Sequence, residues 1–211
     1  MWRPERATPG SSADAVRPAL AHMWHAKGSR GAASRGAAGS HRKILIVNGH
    51  PDPRPERFCA ALCEAHAEGA RAGGWQARQL NVGSVAPDLM PVLESMHWSE
   101  ALTIVFPLWL DRPPEPLRRL FDQVAQLDAA ENTRPGSHAR PARIFVTMEM
   151  PAFAQRAICR QEAPHRTHAF SLADIASGEP TFIGSVDSIS VDQRAQWLRR
   201  LYEAGMRGPR F

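Results

Sequence analysis

Where an apolar run meets a turn and then an amphipathic stretch, between residues 43 and 71, the residue types and spacing suggest chemistry. Ile44-Leu45-Ile46-Val47 has no polar alternation and predicts a strand covered on both faces. Asn48-Gly49 breaks the run. Beyond the turn, Phe58, Leu62 and Ala65 recur at helical spacing beside Cys59, Cys63 and His66. The turn N–H groups and the positive end of the helix dipole then converge on one spot, which suits a phosphate or similar anion.

Other constellations point to less. Cys59, Cys63 and Cys159 form neither a C-x-x-C pair nor an even disulfide framework, and a reducing compartment follows. Cys59 and Cys63, four apart on one helix face, read as small core residues. His165 and His168 form an H-x-x-H with Glu162 as a third candidate ligand, but Pro164 precedes the pair and nothing upstream completes a zinc site. No metal is expected. G-x-S-x-G, the P-loop signature and G-x-G-x-x-G after a strand are all absent, which disfavours a serine hydrolase, a P-loop enzyme and a dinucleotide fold of the G-x-G-x-x-G type.

The elements that must position the junction alternate along the chain. After the first helix come Gly73-Gly74 as a C-cap signal and a short strand over Trp75–Val82. A helix follows over Pro91–Ala101, then a second apolar strand over Leu102–Leu110. Pro116–Leu127 predicts an amphipathic helix, with Leu117, Leu120, Phe121 and Val124 on one face. Ala142–Met148 is a third apolar strand, Phe170–Ala176 a short helix, and Thr181–Val186 a weaker last strand. Val191–Gly205 closes the order as a helix, capped by Asp187 or Ser190. Such alternation implies an α/β fold: a three-layer open parallel sheet with right-handed crossovers. Ligands bind outside the carboxyl ends of such strands, here Asn48–Asp52, Pro107–Arg112 and Thr147–Pro151.

At 211 residues and 43% apolar content, the chain can bury one core. Residues 1–41, rich in Ala, Gly, Ser, Pro and Arg without periodicity, are expected to form a disordered low-complexity tail ahead of a domain over 42–211. Their composition is also that of an organelle transit peptide; upstream sequence with Met23 as another start is the preferred reading. The net charge of +5 is concentrated there. Residues 1–43 hold eight basic side chains against Glu5 and Asp14, a net of +6, so the remainder carries −1. A near-neutral body excludes the charged face of a specific nucleic-acid-binding domain. No apolar stretch approaches the roughly 20 residues that span a bilayer.

Three segments, NGHPDPRPERFCAAL, FPLWLDRPPEPLRRLFDQV and VTMEMPAF, together with the ending SVDSISVDQRAQWLRRL, resemble in order the flavodoxin-like NAD(P)H dehydrogenase (quinone) family over about Lys43 to Gly205. The resemblance implies a flavodoxin-like fold that binds FAD, with FMN as the other possibility, and takes NAD(P)H as co-substrate. It implies a quinone-type acceptor, a homodimer and a cytoplasmic location. It places His50 and the backbone around Arg57, Phe58 and Cys59 at the flavin diphosphate. Pro107, Leu108, Trp109 and Leu110 become the wall under the isoalloxazine ring, and Thr147, Met148 and Glu149 approach the ring's polar edge.

The chain also departs from that family. Asp111-Arg112-Pro113-Pro114 stands where the family has glycines that let backbone approach the flavin. The 82–91 and 127–143 segments are short. Phe153–His168 contains no tyrosine, the chain's one tyrosine being Tyr202 in the last helix, so no catalytic residue is assigned. The expected function is hydride transfer from NAD(P)H through a bound flavin to a quinone. The alternative is a non-catalytic flavodoxin-like module, its flavin site lost or altered, acting as an interaction or regulatory subunit.

Overall fold

A computed structural model describes residues 42–85, 87–109, 112–131, 140–151, 176–177 and 180–208. The expected tail over 1–41 lies outside them, as do Leu110, Asp111, Cys159 and the His165/His168 pair. The described elements run β1 (Lys43–Asn48), α1 (Phe58–Ala72), β2 (Gln76–Asn81), α2 (Leu89–Trp98), β3 (Ala101–Leu108), α3 (Glu115–Glu131), β4 (Arg140–Met148), β5 (Ala176–Ser177), β6 (Pro180–Ile183) and α4 (Val191–Arg207). The short helix expected over Phe170–Ala176 falls outside the described residues except at its end, where Ala176 is strand.

The strands form one parallel sheet in the order β2-β1-β3-β4-β5, with β6 also paired to β4. The chain starts in β1, turns outward to β2, then crosses back over β1 to β3. That reversal of direction opens a crevice at the carboxyl ends of β1 and β3.

Strand alternation divides the core between two faces. Ile44 and Ile46 join Ala101, Val105, Phe145 and Ile183 on one side, under α1 and α4. Leu45 and Val47 join Leu102, Ile104, Phe106, Ile144 and Val146 on the other, under α2 and α3. The Ile44–Val47 stretch of β1 is therefore apolar without a break because neither face meets water. β2 is an edge strand, and its sequence QARQLN is correspondingly polar and mostly exposed.

On the first face α1 and α4 meet backbone to backbone. A Cβ at Gly69 would collide with the Tyr202 carbonyl, and one at Gly205 with the His66 carbonyl. His66, fully buried, ties the same layers together: Nδ1 donates to the Leu201 carbonyl at 3.0 Å, and Nε2 accepts from the Thr103 hydroxyl at 2.9 Å. The N-terminus of α4 is set by a capping box. Ser190 Oγ accepts from the Gln193 N–H and Gln193 Oε1 accepts from the Ser190 N–H, which settles the choice between Asp187 and Ser190.

Candidate functional site

Three strand ends open on the crevice. At the first, the Gly49 N–H continues the sheet by donating to the Val105 carbonyl at 2.8 Å. A Cβ at Gly49 would lie 2.6 Å from Leu117 Cδ2 and 2.9 Å from Phe106 Cβ, so only glycine lets the chain turn this close under α3. Asn48, buried, anchors the turn: its Oδ1 accepts from the His50 N–H at 3.1 Å while its Nδ2 donates to Asn81 Oδ1.

The loop from His50 to Arg57 is held by its own side chains. The Asp52 N–H donates to His50 Nδ1 at 2.9 Å. An accepting Nδ1 leaves the proton of the neutral ring on Nε2. The Asp52 carboxylate accepts from Arg54 Nε at 2.8 Å and Nη2 at 2.6 Å, and from Arg57 Nε and Nη2 at 2.7 Å each. Hydrogen bonding to Arg54 first, then to Arg57, holds this carboxyl well below the usual carboxylate range in spite of partial burial.

Helix α1 then begins without a side-chain cap. Arg57 sits at its N-cap in extended conformation, makes no capping bond, and no acidic residue lies in the first turn. In α2 and α4, by contrast, Asp88 and Ser190 cap the first N–H groups. The open first turn of α1, with its partial positive charge, faces a pocket of about 150 Å³.

That pocket brings together His50, Arg57, Phe58, Cys59, Pro107, Trp109, Thr147, Met148 and Glu149 from the three predicted loops. Leu108 departs from the expectation. Alternation turns Pro107 and Trp109 toward the pocket while Leu108, between them, packs against the core under α2 and α3. Trp109 is 41% exposed and meets the His50 ring edge-on, with centroids 5.8 Å apart and planes at 82°. Its backbone pairs with Arg112 in both directions, at 3.0 and 2.9 Å, so the chain doubles back tightly after β3.

Cys59 is not a nucleophile here. Its Sγ lies 3.3 Å from Thr147 Oγ1, and burial pushes its thiol up to about 12.

Four further lining residues were not assigned to the site from the sequence: Glu56, Val186, Asp187 and Arg194. Val186 and Asp187 arrive because the turn after β6 is tied to the third loop, with Ser185 N–H on the Met150 carbonyl and Val186 N–H on the Met148 carbonyl. Arg194 enters from the first turns of α4. Its guanidinium lies over the Phe58 ring, 5.0 Å from the centroid, and Nη2 donates to the Val186 carbonyl at 2.6 Å. Among the described residues it meets no carboxylate, whereas Arg57 is bound to Asp52. The signal in the sequence was an arginine four residues past a capping serine, on a helix that begins just after the last strand's carboxyl end.

Among the described residues there is no cluster of three or more metal-ligating side chains, and no helix long and apolar enough to cross a membrane.

No curated protein matches the chain. Solved structures do. The Streptococcus mutans protein Smu.1420 superposes with a TM-score of 0.58 at 20% identity, covering 79% of this chain and all of its own. An NAD(P)H:quinone oxidoreductase from Methanothermobacter marburgensis gives 0.59 at 14% identity, covering 79% and 96%. An NADPH-quinone reductase from P. pentosaceus gives 0.54 at 14%, covering 78% and 97%. At these identities the likeness is one of fold. A family described as having a flavodoxin-like fold matches residues 42–204, most of the chain and every element from β1 through most of α4. The chain therefore belongs to this flavodoxin-like family.

Proposed function

We propose that this chain is a flavin-dependent oxidoreductase that passes hydride from NAD(P)H to a quinone-type acceptor, with FAD as the flavin its sequence resemblance implies. The observation that carries the reading is the convergence of an uncapped helix N-terminus, the His50 imidazole and the Arg194 guanidinium on one pocket at the switch point of the sheet.

These residues fit the phosphate-bearing end of a flavin nucleotide. The first-turn N–H groups of α1 and the fixed charge of Arg194 supply donors, and His50 adds a neutral N–H. The ring end is less enclosed. A pocket of about 150 Å³ is smaller than the roughly 300–1,000 Å³ that surrounds most ligands, so a flavin would be only partly covered. Pro107, Trp109, Thr147 and Met148 provide its wall. When bound, a flavin supplies the hydride-accepting centre and returns the two electrons to an acceptor. The protein's part is to bind, orient and shield it.

The M. marburgensis and P. pentosaceus proteins, named as quinone reductases, share the fold and support this choice of acceptor class. One observation favours the second reading, a non-catalytic module: Trp109, which lines the pocket, is paired through its backbone in both directions with Arg112, part of the segment that replaces the glycines of the family the sequence resembles. The deciding experiment is the visible absorption spectrum of the purified full chain, with FAD or FMN added, followed by NADH under anaerobic conditions. A bound flavin that bleaches supports the reductase. A folded protein that neither retains nor titrates flavin refutes it and leaves the module.

A further inference from the structure

Within the loop that follows β1, two side chains that line the pocket, His50 and Arg57, are held by a third residue. The backbone N–H of Asp52 is the donor that occupies His50 Nδ1, at 2.9 Å. Its Oδ2 is the acceptor that fixes Arg57, through Nε and Nη2 at 2.7 Å each. Arg54 completes the arrangement from outside, with its side chain 65% exposed against 28% for Arg57. Its backbone N–H donates to Asp52 Oδ1 at 3.3 Å, and its guanidinium grips both carboxylate oxygens. Arg54 thus pins the carboxylate, and the carboxylate pins the arginine that lines the pocket.

We propose that Asp52 is the positioning residue of this site, holding His50 as an Nε2–H donor and Arg57 as an oriented guanidinium, so that both are directed at the phosphate of the flavin nucleotide. The affinity arm of the proposal rests on the flavin reading above; the imidazole arm does not.

The two physical effects of Asp52 oppose each other, and this makes the role testable. Its negative charge lies close to the anion site, so charge alone predicts that removing it would tighten phosphate binding. Orientation predicts the reverse. A guanidinium that loses its carboxylate regains rotamer freedom and must be ordered again by the ligand. An imidazole without its fixed donor at Nδ1 populates the other tautomer, which presents a lone pair in place of a proton at Nε2. Loss of a carboxylate that merely stabilised the loop would weaken every ligand alike.

FMN and riboflavin differ only by the phosphate, and their dissociation constants are read from quenching of flavin fluorescence. The parent is compared with Asp52→Asn, which keeps the size, and with Asp52→Ala, which removes the remaining acceptor. The expected result is FMN affinity weakened about tenfold, as for loss of one charge-assisted hydrogen bond, with riboflavin affinity held within about twofold. Unchanged or tighter FMN binding overturns the proposal, and so does an equal loss for both ligands. Long-range ¹H–¹⁵N correlation spectra of the flavin-free protein report the second arm. The parent, Asp52→Asn and Asp52→Ala all keep the backbone N–H and should show His50 protonated at Nε2 alone, whereas Asp52→Pro, which removes that N–H, should show a mixture. A parent protonated at Nδ1, or an Asp52→Pro variant with unchanged shifts, overturns it. If the parent binds neither flavin, the flavin reading fails by itself, and the tautomer comparison still decides the role of Asp52.

Discussion

His66 makes the fold sensitive to acid in a window that can be calculated. The ring lies fully buried between α1, α4 and β3, with both nitrogens engaged. Burial pulls its pKa down to about 4, against the opposing bond to the Leu201 carbonyl and with a further push from the positive charge of Arg143. An unfolded histidine titrates near 6.5. Below that pH the unfolded chain binds a proton that the native state refuses, so native stability falls as pH falls from 6.5 toward 4. Tenfold in proton affinity is worth about 1.4 kcal/mol, and the gap of about 2.5 pKa units therefore costs about 3 kcal/mol by pH 4. Against the roughly 5–15 kcal/mol that holds a domain together, that is a large share. Asp52 works in a separate range. Its depressed pKa contributes stability that is lost only as pH drops below the ordinary carboxylate value. The assay is urea unfolding followed by tryptophan fluorescence at intervals from pH 7.5 to 4, on the parent and on His66→Gln. The variant should be less stable at pH 7.5, because a buried hydrogen-bond pair is disturbed, yet its stability should fall by about 3 kcal/mol less across the window. Parallel pH profiles for the two proteins would refute the argument.

Three other substitutions address the packing and the pocket. Gly205→Ala places a methyl group against the His66 carbonyl where α1 and α4 touch, and should cost about 1–3 kcal/mol in a urea titration; a neutral effect would mean that the helices separate freely. Arg194→Ala should weaken FMN by about 10- to 100-fold, the worth of a hydrogen bond to a charged group, and leave riboflavin nearly unchanged; equal effects on both would remove Arg194 from the phosphate. Trp109→Ala should lower the flavin retained on purification while shifting the unfolding midpoint little, since the side chain is 41% exposed; equal flavin content in variant and parent would sink its assignment to the ring wall.

The sheet was legible because burial on two faces leaves a strong mark. Ile44–Val47, Leu102–Phe106 and Ile144–Met148 are runs with no charged residue and no more than a single threonine each, and each became a strand within the core. The edges were harder to place. The predicted Trp75–Val82 strand shortened to Gln76–Asn81, and the weak strand over Thr181–Val186 ended at Ile183, because the turn after it bonds to the third loop. The helix predicted over Pro91–Ala101 begins instead at Leu89, where Asp88 caps it; proline is tolerated in the first turn of a helix, and so was a poor marker of its start.

The pocket was legible only as far as loops announce themselves. Strand ends could be placed from apolar runs, and the residues at or just beyond them followed, including Pro107 and Thr147 at the ends of β3 and β4 and His50 past β1. Leu108 illustrates what a contiguous stretch conceals: consecutive residues of a strand face opposite ways, so a wall read as Pro107-Leu108-Trp109 must lose its middle member to the core. Arg194 illustrates the opposite failure. On a helix where Leu198 and Leu201 are core and Arg199, Arg200 and Arg207 also occur, Arg194 resembles solvent-facing charge until the fold sets its first turns beside Phe58. Asp52 is harder still, because its significance lies in two bonds made from different parts of one residue, a backbone N–H to His50 and a carboxylate to Arg57. Neither bond has a sequence signature, since both depend on where the loop doubles back. Residue types marked where an anion could sit; the geometry of the loop determines which donors are turned toward it.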